Sequence, residues 1–308
     1  MTKISVVIPV YNEKESLAGL VDELLPVLKG VGDYEVLLID DGSTDGSLEI
    51  IEAAAKRDDR IRWIRMRRNF GKSAALQCGF RRAQGNIVIT MDGDLQDDPA
   101  EIPRFIKKLE EGNDLVSGWK KERHDPWHKT IPSKLYNFVT ASVTGVKLHD
   151  FNCGFKAYRR SVFKEVEVYG ELHRYIPVLA GWRGFRIAEI EVHHRARKFG
   201  KSKYGVGRLL AGLLDLGTAY YVTRFSKKPS RIFGVIGSLA FLSGLGINLH
   251  ILVIKLGGGW VGHRQPYMML GLLLTFVGIQ LLFFGLLSEL MVFFYHRFRK
   301  EYSIEREE

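Results

Sequence analysis

"GNIVITMDGDLQDDP", residues 85–99, joins an apolar run to four carboxylates, Asp92, Asp94, Asp97 and Asp98. The run "NIVIT" reads as a buried strand, because unbroken Val and Ile suit a strand covered on both faces. Two aspartates two positions apart follow it. In an extended segment residues i and i+2 share a face, so Asp92 and Asp94 are expected to reach one cation, with the Gln96 amide oxygen continuing the series. Hard divalent ions such as Mg²⁺ or Mn²⁺ take oxygen ligands, and Mg²⁺ is usually shared between one or two carboxylates and substrate phosphates. Gly93 allows close approach by a ligand. Asp97 and Asp98 precede "PAEIPRF", where acids and an early proline favour a helix start. Both are assigned to capping.

Working outward, "ISVVIPV", "YEVLLID", "IRWIRM" and "DLVSG" read as further strands. Between them "ESLAGLVDELLPVLKG", "SLEIIEAAAKR", "KSAALQCGFRRAQ" and "AEIPRFIKKLEEG" carry apolar residues at helical spacing. Strands alternating with helices predict an α/β fold with a mostly parallel, Rossmann-like sheet covered on both faces. Such sheets bind ligands beyond the carboxyl ends of their strands. "YNE" follows the first strand, "DDGSTDGS" the second and "DGDLQDD" the fourth, so three polar clusters are expected at one sheet edge. Neither common phosphate loop is present. "DDGSTDGS" lacks G-x-G-x-x-G, and "NFGKSAAL" has Met66 where a P-loop needs its first glycine. What remains is a nucleotide held by carboxylates and backbone, with its diphosphate on a metal.

The second half changes character. No formal charge occurs from Ile232 to Ile254 or from Gln265 to Ser288. Each run exceeds the roughly 20 apolar residues that cross a hydrocarbon core, which predicts two transmembrane helices. Arg224, Lys227, Lys228 and Arg231 precede the pair, and Arg297, Arg299 and Lys300 follow it. The positive-inside rule then puts the N-terminal domain and both termini in the cytoplasm, at the inner membrane. "MTKISVVIPV" enters a strand at once, so no signal peptide is expected. The expected organisation is a catalytic domain over 1–205, a juxtamembrane segment over 206–231, a hairpin of two spans over 232–297 and a cytoplasmic tail over 298–308. The juxtamembrane segment reads as an amphipathic helix on the membrane surface or as a helix packed on the sheet. "SKLYNFVTASVTG" (133–145) has the same two readings.

The net charge of +10 fits headgroup contacts and a phosphorylated substrate, and no nucleic-acid-binding motif accompanies it. Cys78 and Cys153 are expected to be inert thiols. Gly234, Gly237, Gly244, Gly278 and Gly285 would permit close helix contacts, including those of a homo-oligomer. His193 and His194 are adjacent, so on a strand they would face opposite ways and not form a metal pair. Tyr158, Arg159 and Arg160 open a helix-like stretch to which no chemistry is assigned.

"VVIPVYNE", "DDGSTD", "GNIVITMDGDLQDDP" and "DFNCGFKAYRR" together resemble the family 2 inverting glycosyltransferases of the GT-A fold. "RKFGKSKYG" resembles the "RxxGxSK" segment of their polyisoprenyl-phosphate branch, and the C-terminal pair resembles bacterial members that glycosylate undecaprenyl phosphate. Dolichyl-phosphate mannose synthases are cousins. The resemblance, over roughly residues 3–205, implies that Pro9, Tyr11, Glu13, Ile39 and Asp41 surround the nucleoside, beside Asp92 and Gly93. It implies that Asp92, Asp94 and Gln96 hold Mg²⁺ or Mn²⁺ on the diphosphate. Asp150 falls at an acceptor-side carboxylate proposed as a base. A lipid phosphate is largely anionic at neutral pH and needs little deprotonation, so Asp150 is read instead as positioning basic residues or the sugar, ahead of a role as base.

An anionic nucleophile needs a cationic cradle. Arg197 and Lys203 match the basic positions of "RxxGxSK". Lys120 and Lys134 fall near positions where relatives carry arginine, and Arg174 is a further candidate. The implied reaction moves a sugar, glucose from UDP-glucose first, to undecaprenyl phosphate with inversion. GDP-mannose and modified UDP-sugars remain open as donors. A processive polysaccharide synthase shares the N-terminal motifs, but the chain lacks Q-x-x-R-W. A membrane-anchored scaffold on a degenerate transferase fold is the reading from another class, and the intact Asp92, Asp94 and Gln96 argue against it.

Overall fold

A computed structural model describes residues 3–121, 137–142, 144–166, 168, 172–195 and 230–296. The chain divides into two compact units, Met1–Tyr220 and Tyr221–Glu308. In the first, four parallel strands form as the sequence predicts: β1 (Ile4–Val10), β2 (Tyr34–Asp40), β3 (Ile61–Arg65) and β4 (Ile87–Thr90). Helices α1 (Lys14–Val31), α2 (Ser47–Arg57), α3 (Lys72–Arg82) and α4 (Ile102–Glu110) connect or follow them. β5 (Leu115–Trp119) is also the strand expected at "DLVSG".

Two strands depart from the expectation. Lys156–Arg159 is β6, paired antiparallel with both β4 and β5. Tyr158 and Arg159 therefore lie on a strand, and α5 (Arg160–Glu165) begins only after them. The charged ends of "KAYR" hide a central strand whose middle, Ala157 and Tyr158, is buried. After α6 (Ile176–Trp182), β7 (Ile187–Glu191) pairs parallel with β5 at the edge. The order is β3-β2-β1-β4-β6-β5-β7, a mixed, mostly parallel sheet of the GT-A type.

Both sheet faces are covered. Leu17, Leu20, Leu24 and Leu28 of α1 pack with Phe105 of α4 on one face. Ala75, Leu76 and Phe80 of α3 pack with Val162 and Ile176 on the other. Gly79 lets α3 approach β1 closely, since a Cβ there would fall 2.3 Å from a Val7 methyl.

The second unit contains α7 (Ser230–Leu256) and α8 (Gln265–His296), both long and apolar enough to cross a membrane. They pair through glycine: a Cβ on Gly244 would lie 2.5 Å from Gly271 O, and one on Gly278 would lie 2.5 Å from Phe241 N. Several glycines expected to allow oligomer contacts thus serve this pairing. Leu239, Leu242, Leu249, Phe276 and Phe283 remain exposed outward, as a lipid-facing surface requires. Apart from Ser230 and Arg231, which begin α7, the expected juxtamembrane segment lies outside the described residues, as does the tail over 298–308.

Candidate active site

β2, β1 and β4 are parallel neighbours, so their carboxyl ends bring the three polar loops together. The loops interlock through short side chains. Asn12 N–H donates to Ser43 Oγ at 3.0 Å, Thr44 N–H to Asn12 Oδ1 at 2.8 Å and Glu13 N–H to Ser47 Oγ at 3.0 Å. Ser16 donates its hydroxyl to Gly93 O at 2.7 Å, which ties the first loop to the third. Gly42 has φ +74, and a Cβ there would meet Arg68 backbone at 2.6 Å. Only glycine satisfies both demands.

The residues assigned to the nucleoside differ in what they can offer. Pro9, Tyr11 and Glu13 are partly exposed at the end of β1. Ile39 is fully buried in the core, so its side chain faces protein. Asp41 accepts the N–H groups of Phe70 at 2.7 Å and Gly71 at 2.9 Å. It thereby fixes the entry to α3, where a negative charge suits a helix N-terminus. Burial pushes the Asp41 pKa up against those two hydrogen bonds.

The anchoring of α3 matters because Lys72, its first residue, reaches Asp92: Nζ lies 2.5 Å from Oδ1. Burial works to raise the Asp92 pKa, but Lys72 and then Lys120 outweigh it and hold the carboxyl at about 2. Asp94 is nearly buried and accepts Gln96 N–H at 3.2 Å. The segment is a turn, unlike the extended run expected from the spacing, because Leu95 adopts φ 60. Its side chain is close-packed on Gly19 of α1, where an added Cβ would lie 3.2 Å from Leu95 Cδ1. A bulky residue rarely holds that backbone region without such support. Gln96 Nε2 lies 3.3 Å from Arg195 O and 3.3 Å from His194 Nε2.

The two remaining acids separate. Asp98 caps as expected, accepting Ala100 N–H at 3.0 Å. Asp97 does not. It is 1% exposed, accepts Asp92 N–H at 3.2 Å and pairs with Lys120 at 3.2 Å. Burial disfavours the Lys120 charge, but Asp97 and neighbouring acids raise its pKa nonetheless. Lys120, a candidate for the acceptor phosphate, is thus engaged by the buried Asp97 in an ion pair next to the metal candidates. His194 forms a β-bridge with Asp97, and His193 N–H points toward Glu101 Oε1 at 3.5 Å.

Asp150, the carboxylate expected on the acceptor side, is buried and accepts Asn152 N–H at 3.0 Å, while Glu189 takes the Asp150 N–H at 3.1 Å. Lys156 extends from β6 to the carbonyl oxygens of Phe151 and Cys153. Burial lowers its pKa. Arg174 is buried next to His173, whose Nδ1 lies 2.8 Å from Ser73 Oγ. Burial, followed by Lys72 and Arg174, drives the His173 pKa well below its ordinary value. Cys153 is a buried free thiol with its pKa pushed up to about 12 by burial, and Cys78 is free on α3. Lys134, Arg197 and Lys203 lie outside the described residues.

Lys72, Asp97, Gly154, His173 and Lys156 join this cluster beyond the residues that the sequence motifs point to. The visible signal for Lys72 is "GKS" at the entry to α3, which lacks the first glycine of a P-loop.

Comparison with known proteins decides what kind of enzyme carries these loops. A family model described as "Glycosyl transferase family 2" matches residues 5–167, from β1 through α5. The chain belongs to glycosyl transferase family 2. This transferase is 37% identical to a dodecaprenyl-phosphate galacturonate synthase of Rhizobium johnstonii over 307 residues, covering 96% of this chain and 89% of that protein. Its fold is similar to glucosyl-3-phosphoglycerate synthase from Mycobacterium tuberculosis, solved with Mn²⁺, UDP and glucosyl-3-phosphoglycerate. That match has a TM-score of 0.58 at 20% identity, over 72% of this chain and 80% of that one. The same enzyme with Mn²⁺ and UDP-glucose gives 0.57 at 20% identity, over 72% and 79%. At such identity these structures establish the fold of the family 2 transferase and leave its substrates to chemistry.

Proposed function

We propose that this transferase moves a sugar from a UDP-sugar to a polyisoprenyl phosphate at the cytoplasmic face of a membrane, with galacturonic acid the favoured sugar. The observation that carries the reading is the 96% coverage of this chain by its likeness to the dodecaprenyl-phosphate galacturonate synthase. That span takes in the apolar helix pair as well as the site. UDP-glucose, the donor expected from the sequence, has support only from structures at 20% identity, and these speak for fold alone.

The donor set fits a hard divalent cation. Asp92 is held ionised, and Asp94 and Gln96 follow it on one supported turn. Among the described residues no three His, Cys, Asp or Glu side chains form a closed metal cluster. Two carboxylates, with the Gln96 amide oxygen as a third donor, leave positions for phosphate oxygens and water, as Mg²⁺ or Mn²⁺ sites at nucleotides do. When bound, the cation supplies Lewis-acid neutralisation of the departing diphosphate.

The chain's own residues do the rest. Pro9, Tyr11, Glu13 and the backbone at Ile39 and Asp41 hold the nucleoside, and Gly93 leaves the diphosphate room. Lys72 balances charge beside Asp92. Lys120 keeps its charge through Asp97 and steadies Asp92 from behind. The acceptor phosphate oxygen already carries negative charge, so it attacks the anomeric carbon from the face opposite the diphosphate. The new C–O bond forms as the old one breaks, the electron pair leaves with UDP, and the centre inverts. Asp150, engaged with Asn152 and Glu189, orders the acceptor-side loop and needs to remove no proton. Arg174, with Lys134, Arg197 and Lys203, supplies the cationic cradle.

The test is a donor screen with the full chain in detergent, undecaprenyl phosphate, and Mg²⁺ or Mn²⁺. UDP-galacturonate is expected to give a lipid-phosphate-linked sugar at least tenfold faster than UDP-glucose or GDP-mannose. A preference for UDP-glucose would overturn the choice of sugar. No UDP or GDP release from any donor would favour the scaffold reading instead.

A further inference from the structure

Gly154 lies in "DFNCGF" with no need for glycine's backbone freedom, since its φ is not among the positive ones. What excludes a side chain is Asp92. A Cβ on Gly154 would fall 2.6 Å from Asp92 Oδ2, 2.7 Å from Oδ1 and 2.8 Å from Cγ. The whole carboxylate therefore rests against bare backbone.

That backbone cannot withdraw. Thr90 donates its hydroxyl to Gly154 O at 2.8 Å, and Gly118 N–H donates to Phe155 O at 2.9 Å. The flanking Cys153 and Phe155 are buried, and Lys156 holds the carbonyls of Phe151 and Cys153. Asp92 is constrained as well, by Lys72 at its Oδ1 and by Asp97 at its backbone N–H. Its side chain is too short to bend away without changing rotamer.

We propose that Gly154 is a positioning residue for cation binding: its Cα is the wall that seats the Asp92 carboxylate, which would hold the cation. This rests on the reading that Asp92 carries the cation. Gly154 acts through Asp92.

Calorimetric titration of the full chain in detergent with Mn²⁺, in the presence of UDP, tests it together with melting of the metal-free protein. Gly154→Ala is expected to weaken Mn²⁺ binding at least tenfold and to lower the melting temperature. In an Asp92→Ala background the same substitution is expected to cost little stability, because the clashing carboxylate is gone. Should Gly154→Ala alone fail to fold, the double variant is expected to recover the fold of Asp92→Ala. Unchanged Mn²⁺ affinity, an equal melting loss in both backgrounds, or a double variant that still fails to fold would each overturn the proposal. Asp92→Ala measured alone separates the two readings. If it keeps wild-type Mn²⁺ affinity, the assignment of the cation to Asp92 has failed, while the melting comparison still decides whether Gly154 seats Asp92.

Discussion

Lys72 Nζ and Asp92 Oδ1 meet at 2.5 Å across the carboxyl ends of the sheet, one from the start of α3 and the other from the end of β4. On the proposed reading the pair joins the two chemistries of the site, an anion for a cation and a cation for a phosphate. About a quarter of the lysine side chain and a third of the aspartate remain exposed, so solvent screens the pair and about 1 kcal/mol is a reasonable ceiling. Lys72→Met removes a competitor for Asp92 and is expected to tighten Mn²⁺ binding without nucleotide by up to about fivefold. Turnover is expected to fall, because on the proposed reading the diphosphate loses a neighbouring charge. Opposite signs in titration and assay distinguish this from general damage.

Asp94→Asn keeps shape and removes charge. If Asp94 shares the cation, losing several kcal/mol of Lewis-acid stabilisation lowers turnover on the order of a hundredfold or more. The protein is expected to stay folded in detergent, since Asp94 contributes a hydrogen bond from Gln96 that the amide oxygen can retain. Turnover within a fewfold of wild type would remove Asp94 from the metal site.

Asp97 and Asp98 look alike in the sequence and do different work. Asp98→Ala removes a cap and is expected to cost about 1 kcal/mol. Asp97→Ala leaves the largely buried Lys120 without the carboxylate 3.2 Å away, and breaking such a pair costs up to roughly 3–5 kcal/mol. Chemical denaturation of the two variants should show that difference, and equal losses would return Asp97 to a capping role.

That contrast marks the limit of the sequence. β1, β2 and β4 are legible because each is an apolar-rich run followed by a polar loop, and their parallel order places those loops together. β6 is not, because Lys156 and Arg159 at its ends disguise a strand inserted between β4 and β5. A lysine at 3% exposure becomes tolerable only when two carbonyls fold back to meet it. The Asp97–Lys120 pair and the Gly154 wall join residues far apart in the chain. No local spacing announces either one.

Glu35, far along the chain from the acids of the site, gives the first unit a pH dependence. It is 3% exposed and accepts hydrogen bonds from Ser5 and Gln84 N–H, both at 2.6 Å, and from Arg62 at 2.9 Å. Burial raises its pKa, but those three partners outweigh it and the net shift is downward. A carboxyl with a lowered folded-state pKa contributes stability fully above its unfolded value, near 4.5, and loses it as pH falls through the folded value. Glu35→Gln is expected to destabilise the protein by about 1.5–3 kcal/mol at pH 7. It should narrow to a smaller difference as the pH is taken below 4. A difference independent of pH would show that Glu35 acts by shape alone.

The helix pair provides a test that does not depend on catalysis. Gly244 faces α8 so closely that a Cβ would lie 2.5 Å from both Gly271 O and Thr275 N, whereas Gly246, two residues on, has nothing within 4 Å. Packing between apolar helices in lipid depends on such close approach. Gly244→Leu is expected to separate α7 from α8 and to lower the melting temperature of the second unit in detergent. Gly246→Leu adds the same bulk to the outward face and is expected to leave it unchanged. Cysteine pairs placed across the two helices would report the separation directly, through lost cross-linking in Gly244→Leu and retained cross-linking in Gly246→Leu. Equal effects of the two substitutions would mean that leucine bulk, rather than helix contact at Gly244, sets the stability of the pair.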